Sequence, residues 1–295
     1  MATVGTGTFT YELREDWAKL PAGESFGFVS AVATDSAGRL YAFQRKDPPI
    51  LVFDPEGKFV SSWGNGAFLF AHGISIHDDV VYLTDRDSSV CLLYTLDGKP
   101  IQMLGRHGVH SDTGCETPGE LVPRAAGPFN YPAELVVGPD GDLYVADGYR
   151  NARVHRFSAA GELRRSWGAP GKTEPGEFHL PHSLVVTEGR VVVCDRENHR
   201  LQIFDTDGAH RETWDDIQRP MDISADREGN LVVSEGPVTG SGWRISVLSA
   251  GGDVLARFDA RAGHGSWVDR SGDIYVGLPD PGHEPGGVDK YVRQR

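Results

Sequence analysis

The sequence predicts an all-β fold, a six-bladed β-propeller with a repeating blade unit, from three observations. A phrase of the form G-x-L-Y-V-x-D recurs six times, as GRLYAFQR, DVVYLTDR, GDLYVADG, GRVVVCDR, GNLVVSEG and GDIYVGLP. Around it lie short strands with period-2 alternation, four to a unit of roughly 40 residues, divided by Gly/Asp turns. Gly at 37 and Pro at 18 of 295 residues suit many turns and few long helices.

The units begin near Phe28, Ala71, Tyr131, Leu180, Arg219 and Gly263. They set blades near 28–64, 71–105, 131–168, 180–214, 219–258 and 263–295. The recurring phrase is the second strand of each blade. A third strand follows, as in RVHRFSAAGE and RLQIFDTDGA, and a fourth often ends in Trp, as in VSSWG, RRSWG and RETW. The last unit runs out after its third strand, GVDKYVRQR. At the other end of the chain, YELREDW (11–17) reads like GELRRSW (161–167) and GAHRETW (208–214). Residues 9–17 are therefore expected to complete the last blade near Lys290–Val292 and close the ring, leaving no long open edge. Residues 1–295 are read as one domain. The longest irregular stretch, 105–130, joins blades two and three, and a loop of that length is functional or mobile.

Composition excludes several classes. Hydrophobic residues make up 39% and charged residues 24%, as in globular proteins. Lys plus Arg is 29 and Asp plus Glu is 42, a net charge of −13, which argues against nucleic acid as a partner. No apolar segment approaches the ~20 residues of a membrane span. The N-terminal stretch MATVGTGTFTYELREDW lacks the basic and apolar regions of a signal peptide. Cys91, Cys115 and Cys194 are sparse and lack motif spacing, which suits reduced thiols. A cytoplasmic monomer is expected.

Aligning the first strands isolates three histidines. His72, His182 and His264 occupy the position held by Ser30, Ala133 and Met221 in the other blades. The innermost strand of a blade lines the central channel, and alternate blades of a six-fold ring are about 120° apart. Three imidazoles from alternate blades therefore converge on one axis. Such a set suits Zn²⁺ with an open fourth position, and also accommodates Fe, Mn or Co. Taken singly, each histidine could be a strand-end residue bonded to water; the strict alternation favours a metal. His77, His107, His110, His155, His179, His199, His210 and His283 show no such pattern.

The stretch LYVADGYRNARVHRFSAAGELRRSWG…PGEFHLPHSLVV…CDRENHRLQIF resembles the peptidyl-α-hydroxyglycine α-amidating lyases, whose propellers are built from NHL repeats. The resemblance implies a six-bladed propeller holding Zn²⁺ through His72, His182 and His264. It implies a catalytic tyrosine at Tyr149, in the DGY phrase, and a catalytic arginine at Arg45. It also implies a substrate-facing arginine at Arg196, in DREN. Two departures matter. Arg150 stands where that family has a paired cysteine, and Cys194 has no evident partner, so both disulfides of the family are absent. Gly265 stands where the family has a Ca²⁺-binding aspartate, so Ca²⁺ is not expected. Another protein is expected to make the substrate, because no monooxygenase half is recognised here.

The repeat supplies its own view of these positions. Arg45, Arg86, Gly148, Arg196, Gly236 and Pro279 share one place just after the second strand. Arg86 reads there as a solvated or ion-paired loop charge. Asp85, Asp147, Asp195 and Glu235 precede them and read as structural turn carboxylates.

Together these features suggest a metal-dependent lyase that splits a carbinolamide into an amide and an aldehyde or glyoxylate. The substrate would be a small molecule or peptide, with its carboxylate held by Arg45 and Arg196. Two alternatives stay open: a zinc hydrolase of a small lactone, ester or amide on the same site, and a non-catalytic NHL interaction module.

Overall fold

Short, β-branched and aromatic strands built the sequence expectation, and they form the fold. The computed structural model describes residues 2–279 and 286–294; His283 falls outside them. β1 (Thr3–Thr6) and β2 (Phe9–Arg14) open the chain. The first blade is β3 (Val29–Thr34), β4 (Leu40–Gln44), β5 (Ile50–Phe53) and β6 (Phe59–Trp63). The second is β7 (Ala71–His77), β8 (Val80–Asp85), β9 (Val90–Thr95) and β10 (Pro100–Gly105). The third is β11 (Pro132–Val137), β12 (Leu143–Asp147), β13 (Arg153–Phe157) and β14 (Leu163–Trp167). A parallel ribbon, β15 (Ala169–Pro170) with β16 (Glu177–Phe178), precedes the fourth blade. That blade is β17 (Pro181–Thr187), β18 (Arg190–Asp195), β19 (Arg200–Asp205) and β20 (His210–Trp214). The fifth is β21 (Pro220–Ala225), β22 (Leu231–Glu235), β23 (Arg244–Leu248) and β24 (Val254–Asp259). The chain ends with β25 (Gly265–Val268), β26 (Ile274–Leu278) and β27 (Gly287–Arg293).

Each blade pairs its strands in chain order, and the arrangement is a six-bladed β-propeller. Burial explains the composition of the strands. All five residues of β4 are buried, and so are all five of β12 and β22, so these second strands open as apolar runs and end in a buried polar residue. Fourth strands are largely exposed, as in β6 and β14, and tolerate Ser and Arg. Among the described residues the only helix is a 3₁₀ turn at Arg196–Asn198, and none is long and apolar enough to cross a membrane.

The N-terminal strand closes the last blade as the sequence suggests. β2 pairs antiparallel with β27, Tyr11 opposite Arg293 and Arg14 opposite Lys290. β1 then adds a fifth strand that the repeat did not foreshadow. Beyond β2, the Trp17 amide donates to the Val288 carbonyl at 2.8 Å, and the Trp17 ring meets Tyr275 edge-on at 5.2 Å. Arg261 ties Asp289 and Asp16 together at 2.6 and 2.7 Å.

The chain divides into two compact units, residues 1–79 with 221–295, and residues 80–220. In the first, Tyr11, Phe258 and Tyr291 stack in a core shared by β2, β24 and β27. In the second, Trp167, Phe178 and Phe204 do the same. The irregular stretch between β10 and β11 also belongs to the second unit, and it is anchored. Gly119 N–H donates to the Tyr149 carbonyl at 2.7 Å, and the Arg150 Nε to the Cys115 carbonyl at 2.8 Å. Cys91, Cys115 and Cys194 are all buried, and none forms a disulfide.

Removing residues 1–17 strips β27 of one of its two strand partners and deletes the buried Tyr11 and Trp17. We expect the truncated chain to lose its cooperative thermal transition, measured by circular dichroism. Tyr11→Ala alone should cost about 3–5 kcal/mol. A truncated chain that melts like the full chain would contradict the closure.

Candidate active site

His72 is the second residue of β7, and His264 immediately precedes β25. Both are buried, their ligand nitrogens lie within 4.8 Å of one another, and their rings cross edge to face at 4.9 Å. His264 Nδ1 lies 2.8 Å from the Ser30 carbonyl. A carbonyl only accepts, so Nδ1 carries the proton of this bond, which fixes the orientation of the ring. The close approach that permits this bond comes from Gly265. A Cβ there would lie 2.5 Å from both the Ser30 carbonyl oxygen and Ala31 Cα. No carboxylate fits at position 265 unless β3 or β25 moves.

Arg45 sits in the same unit. Its Nε donates to Ser30 Oγ at 3.0 Å and to the Ala71 carbonyl at 3.2 Å. Its guanidinium carbon stands 3.9 Å from the Phe28 ring centre and 4.1 Å from that of Phe70. The Phe28 ring in turn meets His264 edge-on at 5.3 Å. Arg45, His72 and His264 thus form one continuous cluster.

The second unit gathers the other three residues. His182 is the second residue of β17 and is buried. Its Nε2 lies 3.0 Å from the Tyr149 hydroxyl. Arg196 Nη1 donates to the same hydroxyl at 3.2 Å. Tyr149 reaches this place because Gly148 lets its backbone lie against the next blade. A Cβ at Gly148 would fall 2.1 Å from the Pro181 carbonyl oxygen. Arg196 opens the 3₁₀ turn and is buried, with Nε donating to Glu197 at 2.8 Å. Arg219 donates to the same Glu197 oxygen at 3.0 Å. Burial penalises the Glu197 charge, but Arg196 and Arg219 outweigh it and hold the carboxyl below its ordinary range.

Arg86 is the ion-paired charge that the sequence reading expects, and it also lies beside the site. Only 13% of its side chain is exposed, and its guanidinium lies 4.8 Å from the Tyr149 ring centre and 5.4 Å from that of Tyr131. It is ion-paired with Asp87 at 2.7 Å and also flanks the site tyrosine, and the one signal that could have found this is its shared repeat position with Arg45 and Arg196.

The carboxylates before these residues are structural, as their turn positions suggest. Asp147 accepts from the Asn130 amide, Asn151 and His155. Asp195 accepts from the His179 amide, Asn198, Arg200 and Gln202. Burial nevertheless pushes the Asp195 carboxyl up, against the pull of Arg200 and Asn198.

Comparison with known proteins follows the same lines. A sequence model of the NHL repeat matches residues 129–157 and 178–204. Human NHL repeat-containing protein 3 is 31% identical over 302 residues, covering 92% of this chain and 82% of that protein. The chain belongs to the NHL-repeat family. Peptidyl-α-hydroxyglycine α-amidating lyase 1 of Drosophila melanogaster is 28% identical over 273 residues, covering 77% of the chain and 48% of the lyase. The chain spans about half the length of that lyase, and 20% of the Xenopus laevis peptidyl-glycine α-amidating monooxygenase A. A solved streptogramin B lyase shares the fold, with TM-score 0.64 and 13% identity over 96% of this chain and 98% of that one.

Two outcomes follow from the packing. Asp195→Ala would strand the buried Arg200 without its 2.7 Å partner. We expect it to cost about 3–5 kcal/mol in denaturant unfolding. Glu197→Gln should show a pH signature. A carboxyl depressed in the folded state contributes stability above its unfolded value and loses it as pH falls through the folded one. The stability gap between the native chain and Glu197→Gln should therefore be full near neutral pH and shrink in acid, measured as Tm across that range. A gap that does not change with pH would contradict the Arg196–Glu197–Arg219 linkage.

Proposed function

We propose that the chain is a metal-dependent lyase that breaks the C–N bond of a carbinolamide, giving an amide and glyoxylate or a related aldehyde. The reading rests on the Tyr149 hydroxyl, held between His182 Nε2 at 3.0 Å and Arg196 Nη1 at 3.2 Å. A base candidate sits beside an imidazole and a guanidinium, and relatives at 28% identity carry the name amidating lyase.

His72, His182 and His264 would hold the ion. The donor set fits: all three are buried imidazoles at one repeat position, and the His264 Nδ1 bond to the Ser30 carbonyl orients that ring. Such a set suits Zn²⁺ and also Fe, Mn or Co. A bound divalent ion supplies Lewis acidity toward the substrate hydroxyl.

The chain's own residues do the rest. The Tyr149 oxygen accepts the hydroxyl proton of the substrate. The O–H electron pair becomes the second bond of the new carbonyl, and the C–N pair leaves with nitrogen. Tyr149 then returns the proton to that nitrogen, completing the amide. Arg196, donating to the phenol oxygen, would stabilise the negative charge that Tyr149 carries before the first transfer and again after the second. Arg45 binds the substrate carboxylate with a guanidinium already oriented by Phe28, Phe70 and Ser30.

The test combines elemental analysis with an assay on N-benzoyl-α-hydroxyglycine. We expect one equivalent of a divalent transition metal and release of benzamide and glyoxylate. His72→Ala, His182→Ala and His264→Ala should each lose both metal and turnover. Tyr149→Phe should keep the metal and lose about 10²–10⁴-fold in rate. Arg45→Lys should lower turnover, because Lys lacks the planar fork. A metal-free chain that leaves the compound intact would favour an interaction module. Cleavage of esters or lactones in its place would favour a hydrolase.

A further inference from the structure

The cavity beside Arg45 is a feature that the proposed chemistry does not use. It measures about 330 Å³ and is lined by Arg45, Pro49, Phe68, Leu69 and Phe70 among others. That is the lower end of the size range of small-ligand sites, from about 300 Å³. We infer that this cavity is a specificity subsite for an apolar N-acyl group on a substrate whose carboxylate pairs with Arg45. The inference rests on the lyase reading for the carboxylate and extends it to the substrate class.

Three observations carry it. First, Pro49, Phe68, Leu69 and Phe70 form an apolar side of a mixed lining that also holds Arg45, which suits an anion bearing an apolar group. The other charged residues lining it are already engaged elsewhere. Lys46 Nζ donates to the Ser25 carbonyl and hydroxyl at 2.6 and 3.0 Å, and Asp47 accepts from the Gly66 amide at 3.2 Å. Second, the segment leading into β7 is fixed on both sides of Leu69. The Phe68 ring packs edge-on against the buried Phe43 at 5.0 Å, and the Phe70 ring covers the Arg45 guanidinium at 4.1 Å. Third, Leu69 between them is 68% exposed, the most exposed of the large hydrophobic residues described. Two pinned phenylalanines hold an apolar side chain at the cavity rim, where an apolar ligand would bury it.

Binding of inert analogues tests this without turnover. N-benzoylglycine and N-acetylglycine carry the carboxylate and amide but lack the reactive hydroxyl. Calorimetric titration of the metal-loaded chain should show N-benzoylglycine binding on the order of tenfold more tightly. Leu69→Ser, at an exposed position, should bring that ratio toward one, and Arg45→Lys should weaken both analogues. Leu163→Ser, on the outer strand β14, should leave the ratio as in the native chain. Equal affinities in the native chain, a ratio unmoved by Leu69→Ser, or binding of neither analogue would each overturn the subsite. A chain that discriminates the analogues but does not cleave N-benzoyl-α-hydroxyglycine keeps the subsite and loses the lyase. One that cleaves it without discriminating loses only the subsite.

Discussion

Buried carboxylates at the ends of second strands are the constraint on which the rest of the structure depends. Asp147 and Asp195 are fully buried, and the residues that follow them are Gly148–Tyr149 and Arg196. A buried charge is tolerated only when its lone pairs are satisfied. Asp195 meets that demand with one backbone amide and three side chains. Asp147 does so with the Asn130 amide, Asn151 and His155. Each carboxylate thereby fixes the path of the chain where it leaves the sheet, and that exit carries a site residue. The raised carboxyl of Asp195 shows that burial still works against the charge, and the network around it offsets that cost.

Two close backbone approaches finish the positioning. Gly265 lets His264 reach the Ser30 carbonyl, and Gly148 lets Tyr149 lie beside the strand that carries His182. In each case the glycine borders a site residue, and in each case a methyl group would collide with the backbone of the adjoining blade. The first strand of a blade can present a histidine at a defined height only if its neighbour packs this tightly. Packing of the fold and orientation of the imidazole are therefore one property.

Much of this was legible in sequence because its causes are local. Strand alternation, turn glycines and the Trp-ended fourth strands are set within a few residues, and they foretold the blades and the pairing of β2 with β27. The alignment of His72, His182 and His264 was legible for the same reason, as one position within a repeat. β1 and the β15–β16 ribbon were missed because their two- and four-residue lengths carry no periodic signal. The ion pair of Arg86 was legible, but its contacts with Tyr131 and Tyr149 were not, because those rings lie 45 and 63 residues away in sequence. The Phe28–Arg45–Phe70 stack escaped for the same reason, since nothing in YAFQRKD predicts which rings enclose the guanidinium.

The three arginines near the two clusters share one construction. Each has its Nε tied to a fixed acceptor: Arg45 to Ser30, Arg86 to Asp87, and Arg196 to Glu197. Each also lies over at least one aromatic ring. A guanidinium held at its stem nitrogen and across its face has lost most of its rotamer freedom before any ligand arrives. The entropy of ordering a long side chain is then met during folding and not during binding. Lysine could not reproduce this, because a single ammonium offers neither a second bonding edge nor a flat face to stack. The aromatic residues around these arginines are for that reason part of the site, although they have no polar chemistry of their own.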